Sequence, residues 1–109
     1  MFTHHKLKVY QKALECACSA ERLSSSWTRK HSFVDHFCRA SESIVLNMAE
    51  GNGRYSELDH RRFLDVAAAA AVKNAAYLDL CEQKILPAGT DLSHGRELLG
   101  RITAMLSGF

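Results

Sequence analysis

The sequence predicts an all-α protein, an antiparallel up-down-up-down four-helix bundle. Apolar residues recur at three- and four-residue steps in four segments, and the joints between these segments are short. No stretch alternates with a period of two for long enough to form a strand. A chain of 109 residues can form one domain and hardly two, so a single domain is expected over residues 1–109.

The first helix is expected over about residues 6–23. Three serines at positions 24–26 should end it, because short hydroxyl side chains compete for backbone hydrogen bonds. Trp27 is then expected to fold back onto the core. The predicted apolar stripe comprises Leu7, Tyr10, Leu14 and Ala17, widened by Ala13 and Ala20.

The second helix is expected over about residues 30–50, with a largely buried face. That face comprises Phe33, Phe37, Ala40, Ile44 and Met48. Gly51 is interpreted as the left-handed residue just past the helix end, and Gly53 as a second turning point before Ser56 caps the next helix. This pattern predicts a tight helical hairpin.

The third helix is expected over about residues 57–84, and its run Ala67 to Ala71 predicts the closest interhelical contact, since alanine lets a neighbouring backbone approach. Pro87 and Gly89 should end it. The fourth helix is expected over about residues 91–107, capped by Asp91 or Thr90. Its predicted stripe comprises Leu92, Leu98, Leu99, Ile102, Met105 and Leu106.

Composition sets broad limits on function. The net charge of +2, from 14 basic and 12 acidic side chains, neither requires nor excludes a nucleic-acid partner. The sequence has no apolar signal region and no membrane-spanning run, so a cytoplasmic location is expected. Cysteines 16, 18, 38 and 81 lack CxxC spacing, which favours reduced, buried thiols over disulfides or a zinc site.

The second and third helices are apolar over more of their circumference than a monomeric bundle buries. This excess predicts an additional interface and therefore a homo-oligomer. The alternative is that alanine all round the third helix only maximises helicity on an exposed face.

The sequence offers little for catalysis. Glu57 and His60 have the Glu-x-x-His spacing of di-iron bundles, but such a site needs a second copy and two further glutamates, and only Glu50 is available. No serine lies in the Gly-x-Ser-x-Gly sequence of a nucleophile elbow. The Gly51–Gly53 turn follows a helix, whereas phosphate-binding loops follow a strand. We therefore expect no enzyme activity, no metal and no cofactor.

Clusters of basic residues predict a phosphate-binding surface. The six candidate nucleic-acid contacts are Lys6, Lys8, Lys12, Arg61, Arg62 and Lys73. An oligomer that aligned these residues would present a strongly positive face despite the small net charge. The alternative is a solvated face balanced by Glu15, Glu21, Asp65 and Asp79.

The joint between the second and third helices needs a local explanation, because Glu50 stands at a helix end where the dipole is already negative. Glu50 is expected to pair with Arg54 or Arg39, or to accept backbone amides near Ser56, and Asn47 should complete this network. The predicted structural motif comprises Arg39, Asn47, Glu50, Gly51, Gly53 and Arg54.

This joint also carries a family resemblance that covers the chain up to about Leu86. The sequence resembles the S23, or 23S rRNA intervening-sequence, proteins in the string Arg39-Ala40-x-x-Ser43-Ile44-x-x-Asn47-Met48-Ala49-Glu50-Gly51-x-Gly53-Arg54, followed by Arg62-Phe63-Leu64-x-x-Ala67. The opening Leu7-x-Val9-Tyr10-Gln11-Lys12-Ala13 also looks like the start of that family. Lys73 departs from the pattern, since family members usually carry an acid there.

The resemblance implies a fold like that of the accessory protein of diversity-generating retroelements, a pentameric barrel of four-helix bundles that binds RNA and a reverse transcriptase. We therefore expect a non-enzymatic, ring-like homo-oligomer that binds RNA or DNA and a reverse transcriptase. The alternative is a structural or protein-interaction bundle that binds no nucleic acid.

Overall fold

The computed structural model describes residues 4–25, 27, 32–87 and 89–107, and within these residues the chain forms four helices and no strand. Helix α1 spans His4–Ser25, α2 spans Ser32–Asn52, α3 spans Glu57–Lys84 and α4 spans Ser93–Leu106. The all-α prediction is confirmed. The predicted start of the second helix, near residue 30, lies outside the described residues.

Each helix packs against two others, which makes a four-helix bundle. Helix α2 contacts α1 and α3, and α4 contacts α1 and α3, with the most extensive contact between α2 and α3. The fully buried side chains at the centre come from all four helices and include Val9, Ala13, Ile44, Met48, Ala67, Ala71, Leu78 and Ile102. None of the described helices combines the length and apolar character that crossing a bilayer requires.

The buried stripe of α1 differs from the predicted one. Leu7 and Leu14, predicted to be buried, are 42% and 40% exposed. Ala13 and Ala20 are buried as predicted, and Val9 and Cys16 complete the buried stripe. The prediction was wrong for Leu7 and Leu14, because α1 turns smaller side chains than these leucines inward.

The end of α1 follows the prediction more closely. The helix ends at Ser25, and Ser25 Oγ donates a hydrogen bond to the Arg22 carbonyl oxygen over 2.8 Å. Trp27 is buried, and its ring stacks on that of Phe37 of α2 with centroids 6.1 Å apart. Trp27 therefore folds back onto the core as predicted, and it joins the end of α1 to α2.

Helix α3 begins with the predicted serine cap. Ser56 has extended backbone angles, and its Oγ accepts a hydrogen bond from the backbone N–H of Asp59 over 3.3 Å. Glu57 and Asp59 place negative charge in the first turn, where the helix dipole is positive. These local interactions fix where α3 starts after the α2 joint.

The start of α4 is stabilised differently from the prediction. Thr90 Oγ1 donates to the Pro87 carbonyl oxygen, and Leu92 holds the cap position without a side-chain bond. Asp91 Oδ1 instead accepts hydrogen bonds from both the N–H and the Oγ of Ser93, over 3.0 and 2.7 Å. These bonds lower the pKa of the Asp91 carboxyl, the side-chain bond contributing most.

Candidate nucleic-acid interface

Gly51 of α2 packs tightly against α3. Gly51 is a buried residue within α2, so the prediction that it adopts a left-handed conformation past the helix end was wrong. Of the described residues, Gly89 alone has a positive φ, at 87°. A Cβ on Gly51 would lie 2.9 Å from the Phe63 Cβ and 3.2 Å from the His60 carbonyl oxygen. Glycine is thus required by packing.

Glu50 forms the ion pair predicted with Arg54. Arg54 Nη2 donates to Glu50 Oε2 over 2.5 Å, and the Arg54 guanidinium lies 4.7 Å from the centroid of the Phe63 ring. Asn47 does not join this pair, in contrast to the prediction. Its Nδ2 donates to the carbonyl oxygen and the Oγ of Ser43, over 2.8 and 3.0 Å. The Glu50–Arg54 pair and the Asn47–Ser43 contact are therefore separate.

His60 anchors the first turn of α3 to the end of α2. Its Nε2 lies 3.2 Å from Asn52 Oδ1. The two atoms are at hydrogen-bonding distance, and Nε2 donates to the amide oxygen when the ring carries a proton there. Burial lowers the pKa of His60, and the positive charges of Lys6 and Arg61 lower it further, against an opposing contribution from Glu57. The fold thus brings Lys6 of α1 near the His60 imidazole, which already has Arg61 as its chain neighbour.

The six predicted nucleic-acid contacts occupy distinct surroundings. Lys8, Arg61 and Arg62 are exposed, whereas Lys6 is half-buried. Lys12 Nζ lies 3.5 Å from Glu15 Oε2, so its charge is partly balanced. Lys6 of α1 and Arg61 of α3 both act by charge on His60, so the N-terminal turns of these two helices carry cations near one residue.

Lys73 lies apart from these residues. It lines a groove between α2 and α3 together with Arg39, which the sequence placed in the structural motif. Sequence spacing did not reveal this pairing, because the two residues are more than 30 positions apart and meet only through packing of α2 against α3. The basic residues therefore form two groups.

In the described parts of the chain, no group of side chains is arranged to bind a metal ion or to activate a thiol. No three His, Cys, Asp or Glu side chains gather there as a metal ion would require. Burial raises the pKa of the Cys16 and Cys81 thiols to about 11, with smaller contributions from Glu15 and Cys38 respectively. Such thiols are poor nucleophiles. Cys18 is exposed, contrary to the prediction that all the cysteines are buried.

Asn74 is a polar core residue that the sequence analysis missed. Its side chain is fully buried in α3, and among the described residues neither its amide nitrogen nor its amide oxygen has a hydrogen-bond partner. The sequence could have signalled it, since Asn74 follows Ala67, Ala70 and Ala71 on the same helical face.

Comparison with known proteins identifies the family of this chain. The family model described as 23S rRNA-intervening sequence protein matches residues 5–108. The chain belongs to this family. No curated protein matches it.

A solved structure shows the same fold for a second member of the S23 group. The crystal structure of a protein of unknown function from the S23 ribosomal protein family of Bacteroides thetaiotaomicron VPI-5482 superposes with a TM-score of 0.82. The match covers 95% of this chain and 96% of that one at 18% sequence identity. At that identity the likeness concerns the fold alone.

Proposed function

We propose that this protein is a non-enzymatic, homo-oligomeric accessory protein of the cytoplasm that binds RNA or DNA, with a reverse transcriptase as its protein partner. The observation that supports this most directly is that Lys6 of α1 and Arg61 of α3 both act by charge on His60 and lower its pKa. Two helices thus contribute cations near His60, and each carries a further exposed cation, Lys8 on α1 and Arg62 on α3. Such a surface attracts phosphate independently of base sequence.

The proposed ring-like assembly is supported by exposed apolar residues on α2 and α3. Leu46, Leu58, Val66 and Val72 are 66%, 70%, 45% and 61% exposed. Burial of such residues against another copy is favourable at about 25 cal/mol per Å² of apolar surface. We further propose that the four helices are antiparallel and that the ring is a pentamer, as the resemblance implies.

Charge reversal tests nucleic-acid binding. Lys8→Glu combined with Arg62→Glu should weaken binding of a single-stranded RNA in a gel shift. The slope of log affinity against log salt should become shallower by about 0.7 for each phosphate that is no longer neutralised. The matched control reverses Arg22 and Lys84, which lie in the last turns of the same two helices. Equal losses of affinity in both double variants would contradict the proposed location.

The second candidate function is a protein-interaction bundle that binds no nucleic acid, and the same exposed apolar residues favour it. If the unmodified protein gave no salt-dependent gel shift with RNA or DNA, that result would support this alternative. Light scattering tests the assembly: Leu58→Glu should lower the solution mass, whereas Leu7→Glu on α1 should not. A monomeric mass for the unmodified chain would exclude the oligomer.

A further inference from the structure

A second basic surface lies in the groove between α2 and α3. The groove encloses about 310 Å³, at the lower end of the range of ligand pockets, roughly 300–1,000 Å³. Its polar lining comes from both helices, and three alanines with one valine form the apolar part. The residues that matter here are His36, Arg39, Ser43, Val66, Lys73 and Tyr77.

Among the described residues, the two fixed positive charges in this groove have no acidic partner. Arg39 and Lys73 both line it, and no described carboxylate does. Asp35 and Glu42 are near Arg39 along α2, yet neither forms an ion pair with it in the part of the chain that the structure describes. Two unbalanced cations facing one concave surface attract an anion.

Ser43 supplies a hydrogen-bond donor beside these charges. Its Oγ accepts a hydrogen bond from Asn47 Nδ2 over 3.0 Å. A hydroxyl that accepts in this way still has its own hydrogen to donate. Asn47 therefore holds Ser43 so that the hydroxyl can donate to an anion in the groove, alongside Arg39.

The groove also has an aromatic side. The rings of His36 and Tyr77 stack with centroids 5.1 Å apart and an angle of 15° between their planes. Both residues line the groove with Val66. A flat aromatic surface next to cations is what proteins use to stack a nucleic-acid base while holding its phosphate. An inorganic anion would make no use of this surface.

We propose that the α2–α3 groove binds a nucleoside phosphate, with its phosphate held by Arg39, Lys73 and the Ser43 hydroxyl. The base stacks against the paired rings of Tyr77 and His36. The ligand is either one unit of a nucleic-acid strand, in which case the inference rests on the proposed function, or a free nucleotide.

The test compares three probes on the full chain by titration calorimetry: AMP, inorganic phosphate and a ten-nucleotide single-stranded RNA. Arg39→Gln and Lys73→Gln should each weaken AMP binding about tenfold or more, because each removes a charged hydrogen-bond donor. Tyr77→Leu should weaken AMP binding about tenfold and leave phosphate binding unchanged. If Tyr77→Leu lowers the melting temperature, His36→Ala replaces it in the comparison of AMP with phosphate, because His36 is exposed.

The outcomes separate this inference from the proposed function. The matched control is Arg22→Gln with Lys84→Gln, two cations that do not line the groove, and it should leave AMP binding unchanged. AMP binding that is lost in Arg39→Gln, without any RNA binding, supports the groove and contradicts nucleic-acid binding. RNA binding that is retained in Arg39→Gln and Lys73→Gln, while AMP binding is lost, supports the groove as a site for a free nucleotide and places the RNA elsewhere. AMP that binds all variants equally, or does not bind the unmodified chain, also overturns it.

Discussion

Gly51 of α2 lies so close to Phe63 of α3 that a Cβ at position 51 would stand 2.9 Å from the Phe63 Cβ. Gly51→Ala should therefore destabilise the protein by about 1–3 kcal/mol, because the atoms that would have to move belong to or adjoin the α3 backbone. Urea denaturation measures this. Gly100→Ala is the control: it is exposed in α4, a Cβ there would meet no described atom within 4 Å, and it should gain about 0.5–1 kcal/mol. Equal responses at the two positions would contradict the packing explanation.

Asn74 should be replaceable by a side chain of similar size with a gain in stability. Both its amide atoms are buried without a hydrogen-bond partner among the described residues, so Asn74→Leu should raise the free energy of unfolding by about 1–3 kcal/mol. Ser41 is an equally buried control whose hydroxyl donates to the Cys38 carbonyl oxygen. Ser41→Ala should cost about 1 kcal/mol. A loss of stability in Asn74→Leu would show that the amide has a role in the core.

His60 should make stability depend on pH. Its pKa is lowered in the folded protein, first by burial and then by Lys6, so below about pH 6.5 the unfolded chain binds more protons than the folded one. Stability is then lost as the pH falls below that value towards the folded-state pKa. At higher pH the ring is neutral in both states, so His60 no longer makes the stability depend on pH.

Melting temperatures between pH 8 and pH 5 test this prediction. His60→Gln keeps hydrogen-bonding capacity towards Asn52 but cannot become charged in this range. The unmodified protein should lose more melting temperature than this variant as the pH falls. Parallel curves would show that His60 is not the group responsible.

The Glu50–Arg54 pair should contribute little through charge alone. Its two side chains are 52% and 42% exposed, so Glu50→Ala should cost less than about 1 kcal/mol, and the cost should shrink in high salt. Arg54→Ala should cost more, since it also removes the contact with the Phe63 ring, which is worth about 0.5–1 kcal/mol at an exposed site. Urea denaturation at two salt concentrations distinguishes the two contributions. An equal cost for both variants would argue against the ring contact.

Much of the helical plan could be predicted from local signals. Ser56 caps α3 as expected, because a serine followed by first-turn acids satisfies exposed backbone donors wherever it occurs. The stripe of α4 was predicted well for a similar reason: Leu98 and Ile102 belong to one set of large apolar residues, with no competing set on that helix. Helix α1 has two sets of apolar residues at helical spacing, and which set is buried depends on how closely the neighbouring helices approach.

The candidate site was less accessible to prediction. The basic residues could be recognised one by one, but their grouping depends on which helices lie side by side. Lys6 and Arg61 are brought together near His60, and Lys73 joins Arg39 in a groove of its own. Charges that are distant in sequence interact only after the bundle has closed.

The sequence by itself determined the four-helix plan, the start of α3 and the family, because periodicity, caps and a specific motif are encoded within short stretches of chain. The tertiary structure alone decided what Gly51 is for. A glycine near a helix end fits a left-handed cap and a close helix crossing equally well in sequence, and only the position of Phe63 on the neighbouring helix separates the two. Packing likewise decided which face of α1 is buried and which cations share a surface, since both depend on distances between helices.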